Sequence, residues 1–127
     1  LGDVYKRQEI HRIPQPTNLS ALISEVRALG QAVTFSDTSH LSEGELIAAY
    51  RITQEALTNA RKHATGAPVD VMLSDDELRI ITRGTFTHSP TGRGTISIQE
   101  RARAVGATAL NEPTEDGWLV LITWRKP

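Results

Sequence analysis

The chain has 127 residues, 39% of them hydrophobic and 23% charged, which suits one soluble globular domain with a single core. A formal net charge of −1 leaves no global basic field for nucleic acid and no polybasic block for a membrane surface. With no cysteine there is neither a disulfide framework nor a thiolate metal site, and no apolar run approaches the roughly 18 residues of a membrane span. No signal peptide is visible, and the lack of cysteine fits a reducing compartment; the expected location is the cytoplasm, either free or as the cytoplasmic part of a membrane-anchored protein.

Residues 1–8, LGDVYKRQ, fit nothing that follows and read as a non-native, adapter-like tail, with an ordinary frayed terminus as the plainer alternative. Residues 9–16 read as the last turn of an upstream helix (EIHRI, 9–13) and a linker that Pro14 and Pro16 break. The domain proper is then 17–127. Leu19, Leu22, Ile23, Val26 and Leu29 recur at helical steps over 17–29, and Gly30 is a natural stop. QAVTFSD alternates like a strand. SEGE at 42–45 has the capping-box pattern and opens a long helix over 43–64, which Gly66 and Pro68 end. VDVML and ELRIIT predict two strands around a Ser74-Asp75-Asp76 hairpin. The Gly/Thr/Ser/Pro-rich stretch 83–95 predicts a loop of a length that suggests a functional lid or disorder. Helical spacing returns at Ile96, Ile98, Ala102 and Val105, with Gly106 as the stop. ATALNE and GWLVLITW predict the last two strands, joined by the turn PTEDG. This order predicts an α+β two-layer sandwich, with helices on one face of a mostly antiparallel sheet.

The long helix carries the chemistry. At about 100° per residue, Ile52, Ala56, Ala49, Ala60, Leu46, Leu57 and Tyr50 fill one apolar arc. Glu55, Asn59 and Lys62 form a polar stripe at its edge, with His63 beside it. A solvated face, with Arg51 and Glu55 paired at one helical turn, is the bland reading. The alternative is a site wall. There a carboxylate orients water or takes a proton, an amide oxygen meets a hard cation and an ammonium neutralises phosphate. Asn inside a helix needs a reason, because it favours caps and turns.

RITQEALTNARKHA (51–64) resembles the N-box of sensor histidine kinases, in the nitrate-sensor branch of two-component systems. GRGTISIQERARAVGA (92–107) is similar to the Gly-rich stretch and following helix of that family, and EDGWLVLITWRKP to its last strand. The resemblance runs through residues 9–127 in order and implies the Bergerat (GHKL ATPase) fold and Mg-ATP as cofactor. It implies that Asn59 ligates magnesium, that Glu55 is a polarising or base-like group, and that Lys62 and His63 lie by the phosphates. It further implies that Gly92 and Gly94, with Thr95 beside them, belong to the loop closing over the nucleotide, where bare backbone and a helix N-terminus favour phosphate, and that Gly84 is the first glycine of the family's adenine-side Asp-x-Gly-x-Gly motif. The implied partners are a phosphoacceptor dimerisation domain of the same kinase and a helix-turn-helix response regulator, with no nucleic acid and no direct membrane contact. The family's acceptor histidine, followed by an acidic residue, is absent here, and His11 is not read as one; the isolated chain is therefore expected not to autophosphorylate.

Four positions depart from the family. Thr82 stands where the family has an adenine-reading Asp, and Phe86 where it has a second Gly; no Asp or Glu occurs from 78 to 98. Losing a good polar contact to a buried base costs about 1–3 kcal/mol, or one to two orders of magnitude in affinity. Thr95 and Ser97 replace a common Leu and Gly. These changes motivate an alternative, a degenerate, nucleotide-weak or nucleotide-free interaction module of the same fold. A serine kinase acting on an anti-sigma partner is a third possibility, which RKHA fits less well. Gly-Lys-Ser/Thr is missing, so a P-loop is excluded, and Gly92-Arg93-Gly94 alone is no dinucleotide fingerprint. His11, His40, His63 and His88 are scattered and form no metal site. Trp118 and Trp124 read as sheet packing, and Asp75-Asp76 as a turn.

Overall fold

The computed structural model describes residues 16–87 and 92–124. Its elements are α1 (Leu19–Ala28), β1 (Val33–Asp37), α2 (Glu43–His63), β2 (Val69–Leu73), β3 (Glu77–Arg83), α3 (Gly92–Ala104), β4 (Thr108–Thr114) and β5 (Gly117–Thr123). The expected tail (1–8), most of the linker (9–16), His11, His88 and the middle of the expected lid lie outside the described residues.

The five strands form one mixed sheet in the order β1-β2-β3-β5-β4. Only β1 and β2 are parallel, because the long α2 carries the chain back across the sheet between them. The other three pairings are antiparallel. Buried residues alternate along the strands: Val69, Val71 and Leu73 on β2, Leu78, Ile80 and Thr82 on β3, Val120 and Ile122 on β5. They meet Leu22, Ile23 and Val26 of α1, Ile52, Ala56 and Leu57 of α2, and Ile98 and Ala102 of α3 in one core. The expected two-layer α+β sandwich is what forms.

The local signals explain the helix ends. Gly30 has φ +94°, its amide donates to the Arg27 carbonyl at 2.9 Å, and the Gln31 amide donates to the Val26 carbonyl at 3.1 Å. This is a Schellman stop, and the same pair of bonds closes α3 at Gly106. At the start of α2 the Ser42 hydroxyl accepts from the Glu45 amide, while the Glu45 carboxylate accepts from the Ser42 amide at 3.0 Å. The expected capping box is thus complete.

Three expectations need correction. The helix after the lid begins at Gly92, not at Ile96. The first turn of a helix has no partners for its own amides, so glycine costs less there than in the interior. β4 runs through Pro113 to Thr114 rather than stopping at Glu112. It is an edge strand, where a residue without an N–H leaves no sheet bond unmade, and the turn shortens to Glu115-Asp116. On α2, Leu46 and Tyr50 are only half-buried, whereas Glu45, Ala48 and Thr53 are buried.

Candidate functional site

Glu55 and Asn59 are half-buried on α2, His63 is half-buried, and Lys62 is exposed. No described residue makes a side-chain hydrogen bond or ion pair to Glu55, Asn59 or Lys62. Arg51 donates instead to Gln54 Oε1 at 3.3 Å. The stripe therefore stands at the edge of the buried arc with its polar atoms uncommitted.

Two neighbours frame it. Gly44 and Lys62 are eighteen residues apart, about five full helical turns, so they project along the same line of α2. A Cβ on Gly44 would lie 3.9 Å from Val105 Cγ1, just past the end of α3. Hence α3 packs on the stripe's side of α2, and both helices contribute to the core. Gly92, Gly94 and Thr95 are backbone positions in the first turn of α3. The second neighbour is the chain leaving β3. The Thr87 amide donates to the His63 carbonyl at 2.7 Å, and its hydroxyl donates to the same oxygen at 3.1 Å. These bonds hold the start of the lid on the last residue of α2, one position past Lys62.

The foot of this segment is built by close backbone packing. The Gly84 amide donates to the Asp116 carbonyl at 2.8 Å, and a Cβ on Gly84 would sit 2.7 Å from that of Ala67. A Cβ on Gly117 would fall 1.7 Å from the Thr82 carbonyl oxygen. Only glycine lets the β4–β5 turn approach β3 this closely.

Thr82 is 4% exposed on the helix-facing side of β3, directly opposite Trp118 of β5. Trp118 Nε1 donates to Asn111 Oδ1 at 2.6 Å, which fixes the indole. The Phe86 ring lies against it, with centroids 5.4 Å apart and planes at 38°. Trp118 is half-buried and Trp124 is buried in the core, so both pack on the sheet as expected. Sequence reasoning did not connect Trp118 to the site; the i, i+2 alternation of β5 was the signal that it shares a face with Val120 and Ile122. Gly84, Phe86, Pro113, Glu115, Asp116 and Trp118 line a cavity of about 270 Å³ with three neighbouring residues.

Among the described residues no cluster of three His, Cys, Asp or Glu side chains could hold a metal ion alone. An amide oxygen and a carboxylate one turn apart are nonetheless hard oxygen donors. Mg²⁺ is commonly held by one or two such protein groups plus substrate phosphates, so Asn59 and Glu55 fit it in the company of a polyphosphate. His40 is elsewhere: its amide and ring pair with Asp75, so that aspartate anchors the β1–α2 connection as well as turning the hairpin.

No family model matches the chain. In an alignment of 100 positions that covers 68% of this chain, it is 37% identical to the methanol utilization control sensor protein MoxY of Paracoccus denitrificans, and it spans 22% of that relative's length. Among solved structures it is similar to the blue-light activated histidine kinase of Erythrobacter litoralis, with TM-score 0.65 and 17% identity over 88% of this chain and 45% of that one. It is similar also to the cytoplasmic segment of the histidine kinase QseC, with TM-score 0.59 and 14% identity over 98% and 91%. The catalytic domain of the histidine kinase ThkA gives TM-score 0.56 and 12% identity over 83% and 86%. With its mixed five-stranded sheet and single helical layer, the chain has the α+β fold of histidine kinase catalytic domains.

Proposed function

We propose that the chain is the ATP-binding catalytic domain of a two-component sensor histidine kinase, which presents the γ-phosphate of Mg-ATP to a histidine on a separate dimerisation domain. The observation that carries this reading is the uncommitted Glu55–Asn59–Lys62 stripe, framed by α3 and by the lid segment tied to His63. The 37% identity to a sensor protein and the fold support it.

Each residue has a part that its chemistry suits. The Lys62 ammonium is a mobile point charge on the solvent side and offsets phosphate charge. The Asn59 side-chain oxygen, half-buried at the edge of the apolar arc, is the protein's ligand to the cation, and the Glu55 carboxylate one turn back orients a cation-bound water or polarises the acceptor. Mg²⁺ held by Asn59 would supply neutralisation of the charge on the phosphates. His63 and the first turn of α3, with Gly92, Gly94 and Thr95, close the phosphate end, where amides of a helix N-terminus favour anions. Thr82 and Gly84 lie at the base end. The protein's task is positioning and electrostatics, since phosphoryl transfer asks for little covalent participation. The acceptor domain, a helix-turn-helix response regulator and a cytoplasmic location complete the proposal.

Calorimetric titration of Mg-ATP into the chain tests it. Binding in the micromolar range that Asn59→Ala weakens at least tenfold is the expected result. No heat at millimolar nucleotide in the unaltered chain overturns the reading.

A further inference from the structure

The cavity at the end of the sheet has a composition that the phosphate site does not explain. Its lining residues carry no cation; it has two aromatic rings, Pro113, and the carboxylates Glu115 and Asp116. Carboxylates repel a triphosphate, so this is not a second phosphate cradle. Two rings, one of them fixed by a 2.6 Å hydrogen bond, instead offer a flat apolar surface at low entropic cost. About 270 Å³ sits just below the usual range of small-molecule pockets and suits one planar ring system. The place is also right. Phe86 precedes Thr87, whose amide is bonded to the His63 carbonyl. Asn59 is four residues back along α2, about 6 Å of helix. Cavity and stripe are thus within the reach of one nucleotide.

Resting on the nucleotide reading above, we infer that the base is held by stacking on the Phe86–Trp118 pair, and that this site accepts guanine nearly as well as adenine. A π-face is common to every base, so stacking alone discriminates weakly. Thr82, buried opposite Trp118, is not itself a lining residue, and the carboxylates that are, Glu115 and Asp116, can accept from the amino group of either purine.

The test is calorimetry on the full chain with three magnesium complexes: ATP, GTP and ribose 5′-triphosphate, which lacks a base. ATP and GTP should bind within tenfold of each other. Both should bind about five- to a hundredfold more tightly than the base-free compound, the worth of one stacked base. Phe86→Ala, which alters a residue outside the strands and helices, should bring ATP and GTP toward the base-free value and leave that value unchanged. Trp118→Leu should do the same, with circular dichroism checking the fold. A hundredfold preference for ATP over GTP overturns the inference, as does an ATP affinity that Phe86→Ala does not change. Equal binding of all three compounds also overturns it while sparing the phosphate site. Failure of all three to bind overturns the nucleotide reading itself.

Discussion

At the residue scale, the position of Asn59 is the clearest link between sequence and chemistry. An amide inside a helix, at the edge of an apolar arc, has a cost unless something uses it, and its half-burial without a described partner agrees with that reasoning. Thr53 is a different case. It is fully buried, and its hydroxyl has no hydrogen-bond partner among the described residues. Thr53→Val should therefore stabilise the chain by about 1 kcal/mol, by removing an unpaired buried group at nearly constant volume. A urea midpoint that falls instead would mean that the hydroxyl is used. Gly117 should be far less tolerant. Its added Cβ meets the Thr82 carbonyl oxygen at 1.7 Å, and backbone cannot step aside as a side chain can. Gly117→Ala should cost at least about 2 kcal/mol in the same measurement, and a change within 0.5 kcal/mol, on the order of an ordinary surface substitution, would contradict this packing. That contact was not legible in the sequence, where Asp116-Gly117 reads only as a turn, because the oxygen it avoids is more than thirty residues away.

At the element scale, whatever depended on local chemistry was readable: the Ser42–Glu45 capping box, the Gly30 and Gly106 stops, and the alternation of β2, β3 and β5. Boundaries set by neighbours were not. Pro113 stays in β4 only because β4 is an edge, and that depends on the sheet order. The cross-strand ties on the outer face were equally invisible. Thr34 Oγ1 donates to Asp70 at 2.6 Å, and Arg83 pairs with the same carboxylate at 3.1 Å, so β1, β2 and β3 are joined by side chains as well as by backbone. These contacts, the Thr34 hydroxyl first and then Arg83, hold the Asp70 carboxyl below the usual carboxylate range despite partial burial. A depressed folded value means that the stabilisation is present above the unfolded value near 4 and fades as pH falls through the folded one. The stability difference between wild type and Thr34→Val should then be largest at neutral pH, below about 1 kcal/mol because the pair is screened by solvent. It should shrink when urea midpoints are measured near pH 3. A difference that grows on acidification would contradict the assignment. Asp75 is shifted in the same direction, chiefly by the His40 amide, but both proteins carry it and the comparison cancels it.

At the scale of the whole molecule, helix and strand order predicted two layers, yet nothing local predicted that β5 would insert between β3 and β4. That insertion places Trp118 opposite Thr82, and so sets the aromatic pair and its cavity beside the end of α2. The same arrangement lays α3 along the stripe's side of α2 through Val105 and Gly44. The fold thus gathers the polar stripe, the glycine-rich helix start and the aromatic cavity from segments far apart in the chain. The most direct measurement is paramagnetic: Mn²⁺-ATP in place of Mg²⁺-ATP, with side-chain amide resonances followed by NMR. Asn18, Asn59 and Asn111 are the asparagines of the chain. The account predicts that the Asn59 amide broadens first and most strongly, that of Asn111, bonded to Trp118, at higher Mn²⁺-ATP, and that of Asn18 last. A sharp Asn59 side-chain amide, with the backbone amides of Glu115 and Asp116 broadened instead, would contradict it.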